Sequence, residues 1–192
     1  DPPQAIAAAQ KALEINPSYV DAYVFLASQE LDQDHKDQAR ESLKKALEIN
    51  PSSLDAHAVL AGMAYVGDNN AEFEAEVAKV LAIAPKWGEV YRVAGELAAR
   101  NYRFDEAVTL ARRALELEPQ NPRSLSNLGL YLLRTGDEPA ARQALEASFK
   151  LDAFHKPTFN LLGMLDRLDT FVTVRDGDLI FRFDKSEAAV LQ

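Results

Sequence analysis

Four prolines set the frame of this chain. Pro17, Pro51, Pro85 and Pro119 stand 34 residues apart each time, and each closes a similar string: KALEINP twice, KVLAIAP, and RALELEP. A unit repeated at such an interval buries its apolar face against its neighbours, so the chain stacks rather than closing around one centre. Within each unit, large apolar residues recur at i, i+3 and i+4, the period of a helix face. Proline then ends the helix, because it cannot continue the hydrogen-bond ladder and restricts the residue before it. DQDHKD at 32–37 and RTGDEPA at 134–140 read as short polar turns between antiparallel helices. DPPQA at the start reads as a helix opening, with Asp1 as cap and Pro2 in the first turn.

The period, the small-residue positions and the closing proline together resemble the tetratricopeptide repeat family over roughly residues 4–168. In the repeat ending at Pro51, Tyr23, Leu26 and Ala27 match the first helix (A), and Ala39, Leu43 and Ala46 the second (B). Tyr91, Gly95, Phe104, Ala107, Ala111 and Ala114 match in the repeat ending at Pro119. Leu125, Leu128, Gly129, Gly136, Ala141 and Leu145 match in the next, whose closing residue is Ala153. Phe159, Leu162 and Gly163 fit a final helix A. The resemblance implies an all-α fold: a right-handed superhelical solenoid of about nine to ten helices, followed by a short β-hairpin. The expected segments are a partial repeat at 1–17, repeats at 18–51, 52–85, 86–119 and 120–153, a final helix at 156–168, and a separate 169–192. Small residues at Ala27, Gly95 and Gly129 on helix A, and Ala39, Ala107 and Ala141 on helix B, let paired helices approach. Phe73 departs, standing where alanine is expected. It reads either as volume exchanged against Ala58, Ala61 and Gly62 or as a local shift of its helix.

Composition narrows function by exclusion. A formal net charge of -9 opposes binding to duplex nucleic acid and to anionic membranes. No apolar run approaches the roughly 20 residues of a membrane span, so membrane insertion is not expected. With no cysteine there is no disulfide, thiolate metal site or thiol nucleophile; cytoplasm, periplasm and exterior are all compatible with this composition. His35 sits in a polar turn, His57 in a bulky core position, and His155 before Pro157 in a linker, without the spacing of a zinc helix. The carboxylates of EFEAE at 72–76 spread around a helix and read as a solvated face. No catalytic, metal or cofactor residues are expected.

The resemblance places the concave surface on the outward side of the A helices. There, apolar or acidic positions (Asp21, Val24, Ser28, Leu31, Asp55, Val59) give way to Arg92, Arg100, Arg123, Arg134 and Arg167, with Asn127 and Asn160 among them. Arginine presents a planar fork suited to carboxylates, so an acidic peptide or chain terminus is one expected partner. Solvated arginines paired with Glu89 and Glu96 are the other reading. Arg92 and Asn127 match the family's two-carboxylate clamp, but Glu96, Pro157 and Leu161 do not, so a heat-shock chaperone tail is not expected. Apolar surface at both ends of the array leaves oligomerisation open.

DTFVTVRDGDLIFRF at 169–183 reads as a hairpin turning at Asp176-Gly177. That register pairs Val174 with Leu179 and Val172 with Phe181 on one face, with Phe171, Thr173, Ile180 and Arg182 on the other. The hairpin either caps the last helix around Leu162, Leu165 and Leu168 or opens a further domain, with Ser186 starting a helix cut at Gln192. TVRDGDLIFRFDKSEAAVL is similar to the opening of gluzincin metallopeptidase domains that follow such arrays in some bacterial proteins. That resemblance implies a parent peptidase whose zinc-binding HExxH helix lies outside this sequence.

Overall fold

The computed structural model describes residues 2–190. Ten α-helices fill 2–169, followed by one two-stranded antiparallel sheet and a terminal 3-10 turn at 185–190. The B helices begin at Lys36 (α3), Asn70 (α5), Phe104 (α7) and Glu138 (α9), the 34-residue interval again. The A helices begin at Val20 (α2), Leu54 (α4), Pro122 (α8) and Lys156 (α10). The remaining A helix, α6, starts one residue late, at Glu89. Gly88 before it lies so close to α7 that a Cβ there would stand 2.5 Å from the Ala114 carbonyl oxygen. The turns keep the same beat: Asp34, Asp68, Tyr102 and Gly136 all have left-handed backbone, with φ of 58°, 56°, 61° and 87°. Such a residue just past a helix end lets following N–H groups satisfy the last carbonyls. His35 and Asn69, for example, donate to Glu30 and Ala64.

The helices form two units, residues 1–119 and 120–192. In the first, α1 (Pro2–Ile15) precedes three hairpins, α2 (Val20–Asp32) with α3 (Lys36–Ile49), α4 (Leu54–Val66) with α5 (Asn70–Ile83), and α6 (Glu89–Arg100) with α7 (Phe104–Leu117), whose fully buried large residues include Leu43, Val80, Val90 and Leu110. Phe73 is buried, its ring edge-on to Tyr65 at 5.0 Å and to Tyr91 at 6.3 Å. Since α5 keeps its place in the 34-residue rhythm, the helix is not shifted. Gly62 serves another neighbour: a Cβ there would meet Leu97 Cδ1 at 2.7 Å and Ala94 Cα at 3.3 Å, so its smallness lets α6 approach α4. EFEAE is not uniformly solvated: Glu76 is buried, bound to His57 and Lys79, while Glu72 binds Arg40. A carboxylate is held inside here because a histidine on the facing helix meets it.

In the second unit α8 (Pro122–Thr135), α9 (Glu138–Leu151) and α10 (Lys156–Asp169) pack around Leu132, Leu145 and Leu165. Four buried oxygens interlock there: Ser148 Oγ donates to the Pro122 carbonyl (2.8 Å) and meets Thr158 Oγ1 (3.1 Å), which donates to Ser126 Oγ (2.9 Å). Arg142 of α9 grips Asp166 and Asp169 of α10.

Strands β1 (Val172–Asp176) and β2 (Leu179–Phe183) pair Val174 with Phe181 and Val172 with Phe183. The turn is therefore Gly177-Asp178, one residue beyond the expected position. Only Gly177 of that pair has positive φ, 56°, the pattern of a type II′ turn with glycine first. The pairing moves by two residues, so the expected faces survive. Val174, Leu179 and Phe181 are exposed, and the hairpin joins α9 by its other face, where Arg182 donates to both Glu138 oxygens (2.7 and 2.6 Å). The following segment is a 3-10 turn capped by Asp184, which accepts from the Ser186 N–H at 3.0 Å and hydroxyl at 2.9 Å. Ser186 is the capped residue and not the cap. The expected cap Asp1 lies outside the described residues.

Candidate interaction groove

Helices α2, α4 and α6 of the first unit stand side by side and line a cleft of about 330 Å³. The repeat generates its walls. Asp21, Asp55 and Glu89 occupy equivalent first-turn positions on the three helices, forming a row of carboxylates. One turn further along each helix, Phe25, Val59 and Val93 form an apolar row. Residues four apart on a helix share a face, so the rows run together across the cleft. Leu31 and Leu97 extend the apolar wall.

Arg92 and Arg100 also line the cleft, but the chain's own carboxylates engage both. Arg92 binds Glu89 through Nε (2.5 Å) and Nη2, and Glu96 through Nη1. Arg100 binds Asp32 across on α2. Asp21 and Asp55 make no direct ion pair among the described residues. Asp55 is instead held above the ordinary carboxyl range, first by desolvation among the crowded helices, then by the charges of Glu89 and Asp21; Arg92 offsets part of this. Five carboxylates, at positions 21, 32, 55, 89 and 96, thus meet two guanidiniums, at 92 and 100.

The other expected site residues belong to the second unit. Arg123, Asn127 and Arg134 lie on α8, and Asn160 and Arg167 on α10. All but the partly buried Asn127 are exposed. Arg123 stands at the repeat position that carries a carboxylate in the three preceding A helices. Reading 21, 55, 89 and 123 down the 34-residue register places the change from acid to arginine at one repeat position. Asp32, outside the expected set, was invisible because its partner Arg100 is 68 residues away. His57 lies in the core, its Nδ1 2.5 Å from Glu76 and its Nε2 2.9 Å from the Pro51 carbonyl. Among the described residues no three histidine or acidic side chains come together as a metal site, and no helix is long and apolar enough to cross a membrane.

A tetratricopeptide repeat family model matches residues 26–86 and 92–154. The chain belongs to the tetratricopeptide repeat family, a class of protein-interaction scaffolds. Solved structures are similar to it as well. PilF of Pseudomonas aeruginosa shares 29% identity with a TM-score of 0.50, over 78% of this chain and 70% of that one. Yeast Tom70 shares 21% with a TM-score of 0.64, over 85% of this chain and only 36% of Tom70. A thermophilic tetratricopeptide repeat protein of Thermus thermophilus, TTC0263, shares 19% with a TM-score of 0.62, over 85% and 89%. The last two speak to fold alone. A search of curated proteins finds no match. The family matches end before the hairpin, so the likeness of that segment to a peptidase domain rests on its sequence only.

Proposed function

We propose that the chain holds a segment of a protein partner in the cleft between α2, α4 and α6. The observation that carries this reading is the pair of matched rows, acidic and apolar, that three successive repeats present to one continuous cleft. A segment lying across the helices meets the same side-chain pattern three times, which gives register as well as contact area. Arg92 and Arg100 contribute shape here, with their charge satisfied within the wall. Filling the cleft tests the reading: Val93→Trp should abolish capture of the partner while leaving the helical circular dichroism intact. Unaltered capture would sink it.

The acidic partner expected from sequence belongs to the second unit in this reading. Arg123 and Arg167 are exposed, which favours carboxylate contacts there, beside Asn127, Arg134 and Asn160. Arg123→Ala with Arg167→Ala should weaken an acidic partner, most at low salt.

A further inference from the structure

The cleft of the first unit is lined by more carboxylates than guanidiniums. Asp21 and Asp55 face it without a direct ion pair among the described residues, and Glu89 and Glu96 both bind the guanidinium of Arg92. First-turn acids are favourable at any helix N-terminus. That alone explains one acid per helix. It does not explain three in a row along a cleft wall, beside an apolar row at Phe25, Val59 and Val93. Like charges lined up in this way repel, and the position of Asp55 between Asp21 and Glu89 concentrates the repulsion. A cation entering the cleft relieves it, and an anion worsens it.

We infer that the cleft selects a partner segment in which a lysine or arginine side chain lies beside an apolar one. The cation sits between Asp21 and Asp55, and the apolar side chain lies on Phe25 and Val59. This rests on the cleft being the binding site, and it adds the partner's chemistry.

The test uses the whole chain and three short capped peptides that alternate leucine with lysine, glutamine or glutamate, titrated by fluorescence anisotropy at low and high salt. The lysine peptide should bind at least about tenfold more tightly than the glutamate peptide, a gap that closes as salt screens the contacts. Asp21→Asn with Asp55→Asn should weaken the lysine peptide about tenfold and leave the glutamine peptide unchanged. Glu74→Gln with Asp105→Asn removes the same charge from exposed positions on the B helices and should change neither. The inference is overturned if the control pair weakens lysine binding equally, if lysine preference survives the cleft pair, or if no peptide binds. Val93→Trp separates the two readings. Loss of every peptide without lysine preference keeps the cleft and removes the cation. Val93→Trp without effect on binding removes the cleft itself. Circular dichroism of each variant confirms that it is folded.

Discussion

His57 Nδ1 and Glu76 Oε2 lie 2.5 Å apart inside the α4–α5 hairpin, each residue less than a tenth exposed. The other ring nitrogen faces the Pro51 carbonyl, so both ring nitrogens have a partner inside the hairpin. Removing one member of a buried pair leaves the other without its partner, which costs far more than the pair contributes when intact. Glu76→Gln should lower unfolding stability by about 3 kcal/mol, the low end of the usual range because Lys79 already screens Glu76 from the solvent side. Glu74→Gln, exposed two residues away, should stay within about 0.5 kcal/mol. Urea denaturation of both variants gives the comparison, and equal effects would contradict the pairing.

Phe73 provides a second check, because the family pattern and the packing disagree about it. Replacing it with alanine restores the usual small residue. It also removes a ring that lies edge-on to Tyr65 and Tyr91. With α5 fixed in its rhythm, the space cannot close, and Phe73→Ala should cost about 3–4 kcal/mol by denaturation. A neutral outcome would mean that the helix can relax toward the common arrangement.

Two glycines at helix-interior positions should respond with opposite signs. A Cβ on Gly129 would stand 2.5 Å from Leu145 Cγ, a branch atom held by a fully buried side chain. Gly129→Ala should therefore destabilise by about 1–3 kcal/mol. Gly163 of α10 has no atom within 4 Å of that point. There alanine only reduces the freedom of the unfolded chain, and Gly163→Ala should raise stability by about 0.5–1 kcal/mol. Thermal melts of the two variants should move apart.

The repeat was legible because it is a local pattern copied along the chain: prolines, small contact residues and apolar spacing all obey one period. The same register contained more than composition revealed. Asp34, Asp68 and Tyr102 take the left-handed turn position that glycine fills at 136, and residue type alone does not mark Tyr102 for it. The hairpin turn moved by one residue because Gly177 suits the first central position, and the alternation of faces tolerates a two-residue change in pairing. Site charge was the least legible feature. Arg92 is engaged within its own helix and Arg100 by a carboxylate on a distant one; the first pairing was one of the two readings open in the sequence, and the second was not visible there. The buried Glu76 escaped notice for a related reason: its partner lies on the facing helix, 19 residues back.

The crowding at Asp55 predicts a pH-dependent stability effect whose direction is fixed. Its carboxyl is raised above the ordinary 3.8 in the folded protein, so folding favours the protonated form. The associated stability is fully present below that ordinary value and is lost as pH rises through the folded one. At neutral pH the ionised group is therefore a net cost, and Asp55→Asn should be slightly more stable than the parent chain. The side chain is open to the cleft and screened by solvent, so the gain should stay below about 1 kcal/mol. It should shrink with added salt, and it should vanish well below the ordinary value of 3.8, where the carboxyl is uncharged in both the folded and the unfolded chain. Urea denaturation of the two proteins at acidic and neutral pH measures the difference directly. A variant less stable than the parent at neutral pH would show that the first-turn helix contact outweighs the repulsion from Asp21 and Glu89.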